Sequence, residues 1–208
     1  MLRIRLSNSI GALLGALLIA SCSDMGSTGL TAPTEVAASH SSGPLSVPAI
    51  AGSVTDAAGL ELRAIWWDKQ YKNVVRVSKT ISPAGGTISI PETGLTMSFP
   101  AGAVASPITI TVTADARYVA YKMEPSGTQF LKDVTVTQSL EATSIFGRAL
   151  KSQLYAAYIA DDNVKLSGKV PVLEIEPSTT IFSVLSGLLP KSQVWTIRHF
   201  SRYMLASG

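Results

Sequence analysis

The 208-residue chain has very little sulfur and little imidazole: one cysteine, Cys22, and two histidines, His40 and His199. A lone cysteine excludes any disulfide within the chain, so a folded domain must stand on core burial. Two histidines exclude a His-rich metal site, and His40 has no candidate ligand close to it in sequence. Charge is sparse at 15%, and no long basic run occurs. Of the 17 Lys and Arg, two (Arg3 and Arg5) fall in the first 21 residues, which hold no acid. Residues 22–208 therefore carry 15 basic against 14 acidic side chains, a net +1. Net charge thus implies neither a nucleic acid nor an anionic surface as partner. There is no Gly-x-Ser-x-Gly elbow, no His-Glu-x-x-His and no Gly-rich phosphate loop ending in Lys. No cofactor and no resident metal are expected.

What is present begins at the amino terminus. Arg3 and Arg5 precede the apolar run Ile10 to Ala20 and the small residue Ser21. These are the three parts of a secretory signal. The run falls short of the roughly 20 apolar residues a membrane-spanning helix needs. Ile19-Ala20-Ser21-Cys22 resembles the bacterial lipobox: an aliphatic residue, two small residues, then cysteine. The resemblance implies cleavage before Cys22, lipidation of its thiol and acylation of the new amino terminus. Two or more acyl chains make a durable anchor. The expected address is a bacterial cell envelope, with the membrane as partner through Cys22. Ser23, rather than an acid, favours the outer membrane by analogy with lipoprotein sorting.

Residues 1–21 therefore read as a signal peptide and 22–60 as the lipidated Cys with a flexible tether. The tether is rich in Ser, Thr, Ala, Gly and Pro, and its only charges are Asp24, Glu35 and Asp56. Residues 61–75 read as a lead-in that mixes cations with Trp66, Trp67 and Tyr71. These aromatics offer a strip for stacking a glycan. The more economical expectation is that they pack on the following domain.

From residue 76 the pattern is strand-rich. Ile108 to Thr113 alternates strictly, and Thr87 to Ile90 and Leu95 to Phe99 do so over shorter spans. Further strands are expected at Tyr118 to Met123, Val134 to Thr137, Leu154 to Ile159, Val172 to Ile175, Ile181 to Val184 and Val194 to Ile197. A helical turn or a loop is expected at Ser144 to Lys151. Asp161-Asp162-Asn163 reads as a hairpin turn between Tyr158-Ile159 and Val164 to Leu166. It lacks the spaced ligands of a calcium loop. Glu174 and Glu176 lie two apart and share a strand face, where exposed acids are the ordinary outcome. The fold class is all-β: a single antiparallel β-sandwich after a disordered lipoprotein tether.

Three segments stand in a particular order. The first is Ile81 to Thr87 with Leu95 to Val104, a Gly85-Gly86 turn followed by a Pro100-Ala101-Gly102-Ala103 corner. The second is Pro125-Ser126-Gly127-Thr128-Gln129-Phe130. The third is His199-Phe200-Ser201-Arg202-Tyr203. Over residues 76–205 the set resembles ZU-five domains, the module shared by ankyrins, netrin receptors and tight-junction scaffolds. That resemblance implies a β-sandwich with a non-enzymatic protein-interaction or envelope-structural role. Some of these domains cut themselves at His-Phe-Ser. For this chain that implies an N-to-O acyl shift: His199 takes the Ser201 proton, Ser201 oxygen attacks the Phe200 carbonyl, the Phe200–Ser201 C–N bond breaks as its nitrogen is protonated, and water then hydrolyses the ester. A structural role for the segment is the stronger expectation, since cleavage would release only residues 201–208. The partner is expected to be an envelope protein or, if the aromatics bind, a glycan or peptidoglycan.

Overall fold

The computed structural model describes residues 59–159, 163–183 and 189–208. The leader, Cys22, the tether up to residue 58, His40, Asp161, Asp162 and Val184 lie outside the described residues. Thirteen strands form two antiparallel sheets, and no helix occurs among the described residues.

The first sheet runs, in spatial order, through β10 (Glu174–Glu176), β8 (Leu154–Ile159), β13 (Arg202–Ser207), β6 (Ala120–Glu124), β5 (Ile108–Ala114) and β2 (Arg76–Ile81). β6 pairs with β13 over Arg202 to Met204. Beyond that, β1 (Glu61–Ala64) pairs with the end of β13 and carries β9 (Lys169–Pro171) on its other side. The second sheet is β11 (Ser178–Ser183), β12 (Leu189–His199), β7 (Gln129–Ser139), β4 (Leu95–Phe99) and β3 (Gly86–Ile90). The chain is thus a β-sandwich.

Alternation explains the layers. In β5, Ile110, Val112 and Ala114 are buried while the threonines between them are half-buried or exposed. Ile88, Met97, Val136 and Ile197 of the second sheet meet Ile110, Val112, Met123 and Leu205 of the first in the principal core. The first sheet is also covered on its other face. Leu62, Ala157, Ile159, Leu166, Val170, Met204 and Ala206 make a second, smaller core there. Strands β8 and β13 therefore alternate between two cores rather than between core and water, and read as nearly continuous apolar runs.

Several expectations change. Residues 61–64 are a strand of the sheet, with Leu62 and Ala64 buried. Ser144 to Lys151 forms turns; Gly147, at φ 68°, suits a turn and not a helix. Of the strand expected at Val172 to Ile175, Val172 and Leu173 lie in the break between β9 and β10, and only Glu174 and Ile175 are strand. Val164 to Leu166 is irregular and does not pair with β8, whose neighbours are β10 and β13. Leu166 instead fills the second core. At the third motif β12 ends at His199, the chain turns at Phe200-Ser201, and β13 starts at Arg202.

Candidate functional site

The three ordered motifs converge on one aromatic cluster. Phe99, Phe130 and Phe200 are all buried. Their rings meet edge to face at 5.7 Å (Phe99–Phe130), 4.6 Å (Phe130–Phe200) and 6.4 Å (Phe99–Phe200). The backbone ties the same segments. Phe200 N–H donates to Thr128 O at 2.8 Å, and Gly127 N–H donates to Phe200 O at 2.9 Å. The Gly-Gly turn packs on the Pro100 corner, because a Cβ on Gly85 would lie 2.4 Å from Phe99 O.

His199 and Ser201 are not brought together for nucleophilic chemistry. Ser201 is buried and its carbonyl accepts from Met123 N–H at 3.1 Å. No hydrogen bond joins its hydroxyl to His199. The His199 ring lies instead 3.4 Å from Glu174 Oε2 through Nε2 and 3.2 Å from Tyr203 Oη through Nδ1. The Tyr203 hydroxyl also donates to His199 O at 3.0 Å. Tyr158 packs edge-on against the imidazole at 5.0 Å.

This cluster lies in the cleft where the β10 edge of the first sheet faces β12 of the second. The register between β12 and β7 breaks here: Ile197 pairs with Val134, but His199 pairs with Gln129. Such an irregularity re-aims a side chain at a strand end. Glu174 and Glu176 share one face of β10, while Ile175 between them enters the second core. Both carboxylates therefore point between the sheets, and the expectation of exposed acids is wrong. Glu176 is 5% exposed, and its Oε1 has no hydrogen-bond partner. Burial, then the neighbouring Glu174 charge, push its pKa up to about 7. Burial, with Glu176 and Glu174 nearby, also raises that of Tyr203. The site was missed in sequence because no short motif carries it: its carboxylates lie 25 and 23 residues before its histidine. The spacing of Glu174 and Glu176 was the only signal.

A second candidate surface involves the aromatics. Trp67 is buried, donates from Nε1 to Asp115 O at 2.8 Å, and meets Tyr71 and Tyr121 edge-on. The Tyr71 hydroxyl donates to Glu92 O at 2.6 Å. Trp66, Trp67 and Tyr71 thus do not form one exposed strip. Trp66 is 52% exposed. It pairs with Tyr118 through an isolated bridge and lines a groove of about 270 Å³ with Arg63, Arg117 and Tyr118. The Arg117 guanidinium stands 5.9 Å from the centre of the Tyr118 ring. Tyr118 and Arg117 join this surface because the segment after β1 runs beside the segment before β6, with Trp67 N–H donating to Arg117 O and Val119 N–H to Ile65 O, which sequence spacing does not reveal. No protein-family model matches the chain, and no curated protein matches it either.

Proposed function

We propose that this chain is a lipid-anchored protein of a bacterial cell envelope, held by Cys22, whose β-sandwich is a non-enzymatic binding module. The groove of Trp66, Tyr118, Arg63 and Arg117 carries the binding role. An exposed indole and a phenol ring offer faces for the apolar side of a sugar. Two guanidiniums beside them offer forked donors for a carboxylate. The ligand of that chemistry is an acidic envelope glycan such as peptidoglycan. The meeting of Phe99, Phe130 and Phe200 supports grouping the domain with ZU-five modules. Retention on purified sacculi tests the groove: Trp66→Ala and Arg117→Ala should each lower it about tenfold, by roughly 1–2 kcal/mol. Undiminished retention in both rejects the groove. Loss of an envelope protein from a pull-down, with sacculus binding intact, moves the role to a protein partner. Fatty-acid labelling that is present in the parent and absent in Cys22→Ala tests the anchor.

Self-cleavage between Phe200 and Ser201 is a second reading. The Gly127 N–H on the Phe200 carbonyl favours it, as one donor of an oxyanion site. It requires His199 to leave Glu174 and Tyr203 for Ser201. Intact mass decides between the readings. A species ending at Phe200 in the parent, but not in Ser201→Ala, would establish cleavage; one uncut species in both leaves the binding module.

A further inference from the structure

We propose that Glu174, Glu176 and His199 form a site for one divalent transition-metal ion, zinc fitting best, that clips the β10 edge of the first sheet to β12 of the second. One ligand atom from each residue lies within 4.8 Å of the other two. His199 Nε2 and Glu174 Oε2 stand 3.4 Å apart. Two ligands about 2.0–2.1 Å from a tetrahedral ion are separated by about 3.4 Å. The pair is therefore already at coordinating separation. To complete the set, the Glu176 oxygen must close from within 4.8 Å of the other two to that same separation.

The hydrogen-bond pattern points the same way. The Tyr203 hydroxyl donates to His199 O at 3.0 Å and stands 3.2 Å from His199 Nδ1. With Nδ1 carrying the imidazole proton toward that hydroxyl, the Nε2 lone pair faces the Glu174 carboxylate, and a cation between the two would satisfy both. A phenol on the outer nitrogen is the kind of partner that orients a metal-bound histidine.

The independent sign is Glu176 itself. Its carboxylate is buried, lines the cavity of about 130 Å³ beside Glu174 and His199, and leaves Oε1 without a partner. An unpaired buried carboxylate oxygen is costly unless the group takes up a proton, is paired or ligates a metal. The nearby Arg198 guanidinium is engaged by Asp133 and does not meet that need. Asp133, Thr196 and Arg198 border the same cavity, which is room for a water as the fourth ligand. One nitrogen and two carboxylate oxygens with an open position suit zinc. In a chain without a disulfide, such an ion would supply the missing cross-sheet staple.

The test uses the full chain with Cys22→Ser in every arm, so that the thiol contributes no zinc. Zinc is titrated against a chromophoric chelator, metal content is measured after dialysis, and thermal unfolding is followed with zinc or EDTA. One zinc per chain at micromolar affinity or tighter is expected, with Tm higher in zinc than in EDTA. Glu176→Gln and His199→Gln should each weaken binding at least tenfold and abolish the Tm rise. Tyr203→Phe, one shell out, should weaken it about tenfold. If His199→Gln does not fold, Glu174→Gln takes its place with the same expectation. Failure of the parent chain to bind, or variants that keep its affinity, overturns the site.

Discussion

Replacing Glu176 by Gln in the presence of EDTA should stabilise the protein at neutral pH, although it alters a buried residue. The side chain is 5% exposed, and its pKa rises from 4.5 to about 7 on folding, chiefly through burial. Between these two values the folded chain holds the proton and the unfolded chain does not. Stability is therefore complete below about pH 4.5 and is lost as pH rises through 7. At about 1.36 kcal/mol per pH unit, the interval corresponds to about 3 kcal/mol. Water reaching the carboxylate from the adjoining cavity lowers this to about 2–3 kcal/mol. Gln has the shape of the protonated acid and no charge to desolvate, so it escapes the loss. Urea unfolding of both proteins at pH 4.5, 6, 7 and 8 reads this residue and its coupling to Glu174, because titrating groups away from the cleft cancel in the difference. The two should have matching stabilities at pH 4.5. The variant should lead by about 2–3 kcal/mol at pH 8, with most of the change between pH 5 and 7.5. A difference that stays flat with pH, or a variant less stable than the parent at pH 8, would refute the reasoning.

Phe200→Ala should cost about 3–5 kcal/mol in urea unfolding, because it removes the ring that touches both Phe99 and Phe130. A loss under 1 kcal/mol would mean the cluster is not packed as described. Gly85→Ala should cost about 3 kcal/mol or more, since φ is 85° and the added methyl lies 2.4 Å from Phe99 O. Gly127→Ala, at φ 79° with nothing within 4 Å, should cost only about 1–2 kcal/mol. Equal Tm losses for the two would argue against the close approach at Gly85. Gln138→Leu should cost about 2–4 kcal/mol: it strands the buried Tyr121 hydroxyl, which donates to Gln138 Oε1 at 2.6 Å, and frees the carbonyls of Thr93 and Ser139. An unchanged urea midpoint would show that water replaces the amide.

The strands were legible where one face meets a core and the other meets water. Leu95–Phe99 begins and ends where pattern places it, and β5 runs one residue beyond its alternating stretch. Legibility failed where the first sheet acquires a second cover. Residues 61–64 look like a lead-in because four residues carry no clear period, yet β1 is held by β13 and β9 at long sequence distance. Val164 to Leu166 looks like the return strand of a hairpin because local turn chemistry suits one. Leu166 gains more by entering the second core than the segment would gain by pairing with β8, which β10 and β13 already flank.

The acidic pair shows why the candidate site was harder to read than the fold. Alternation correctly puts Glu174 and Glu176 on one face of a strand, and it cannot say what that face meets. Ile175 decides the matter, because the second core takes the isoleucine and so turns both carboxylates toward β12. A strand with a single core would have placed Ile175 inward and the acids in water. The unusual placement of the acids thus follows from the double cover of the first sheet. His199 then arrives from the other sheet at the point where β12 loses register with β7. Two departures from regular sandwich geometry, neither visible in local sequence, bring together the only histidine among the described residues and a buried pair of acids.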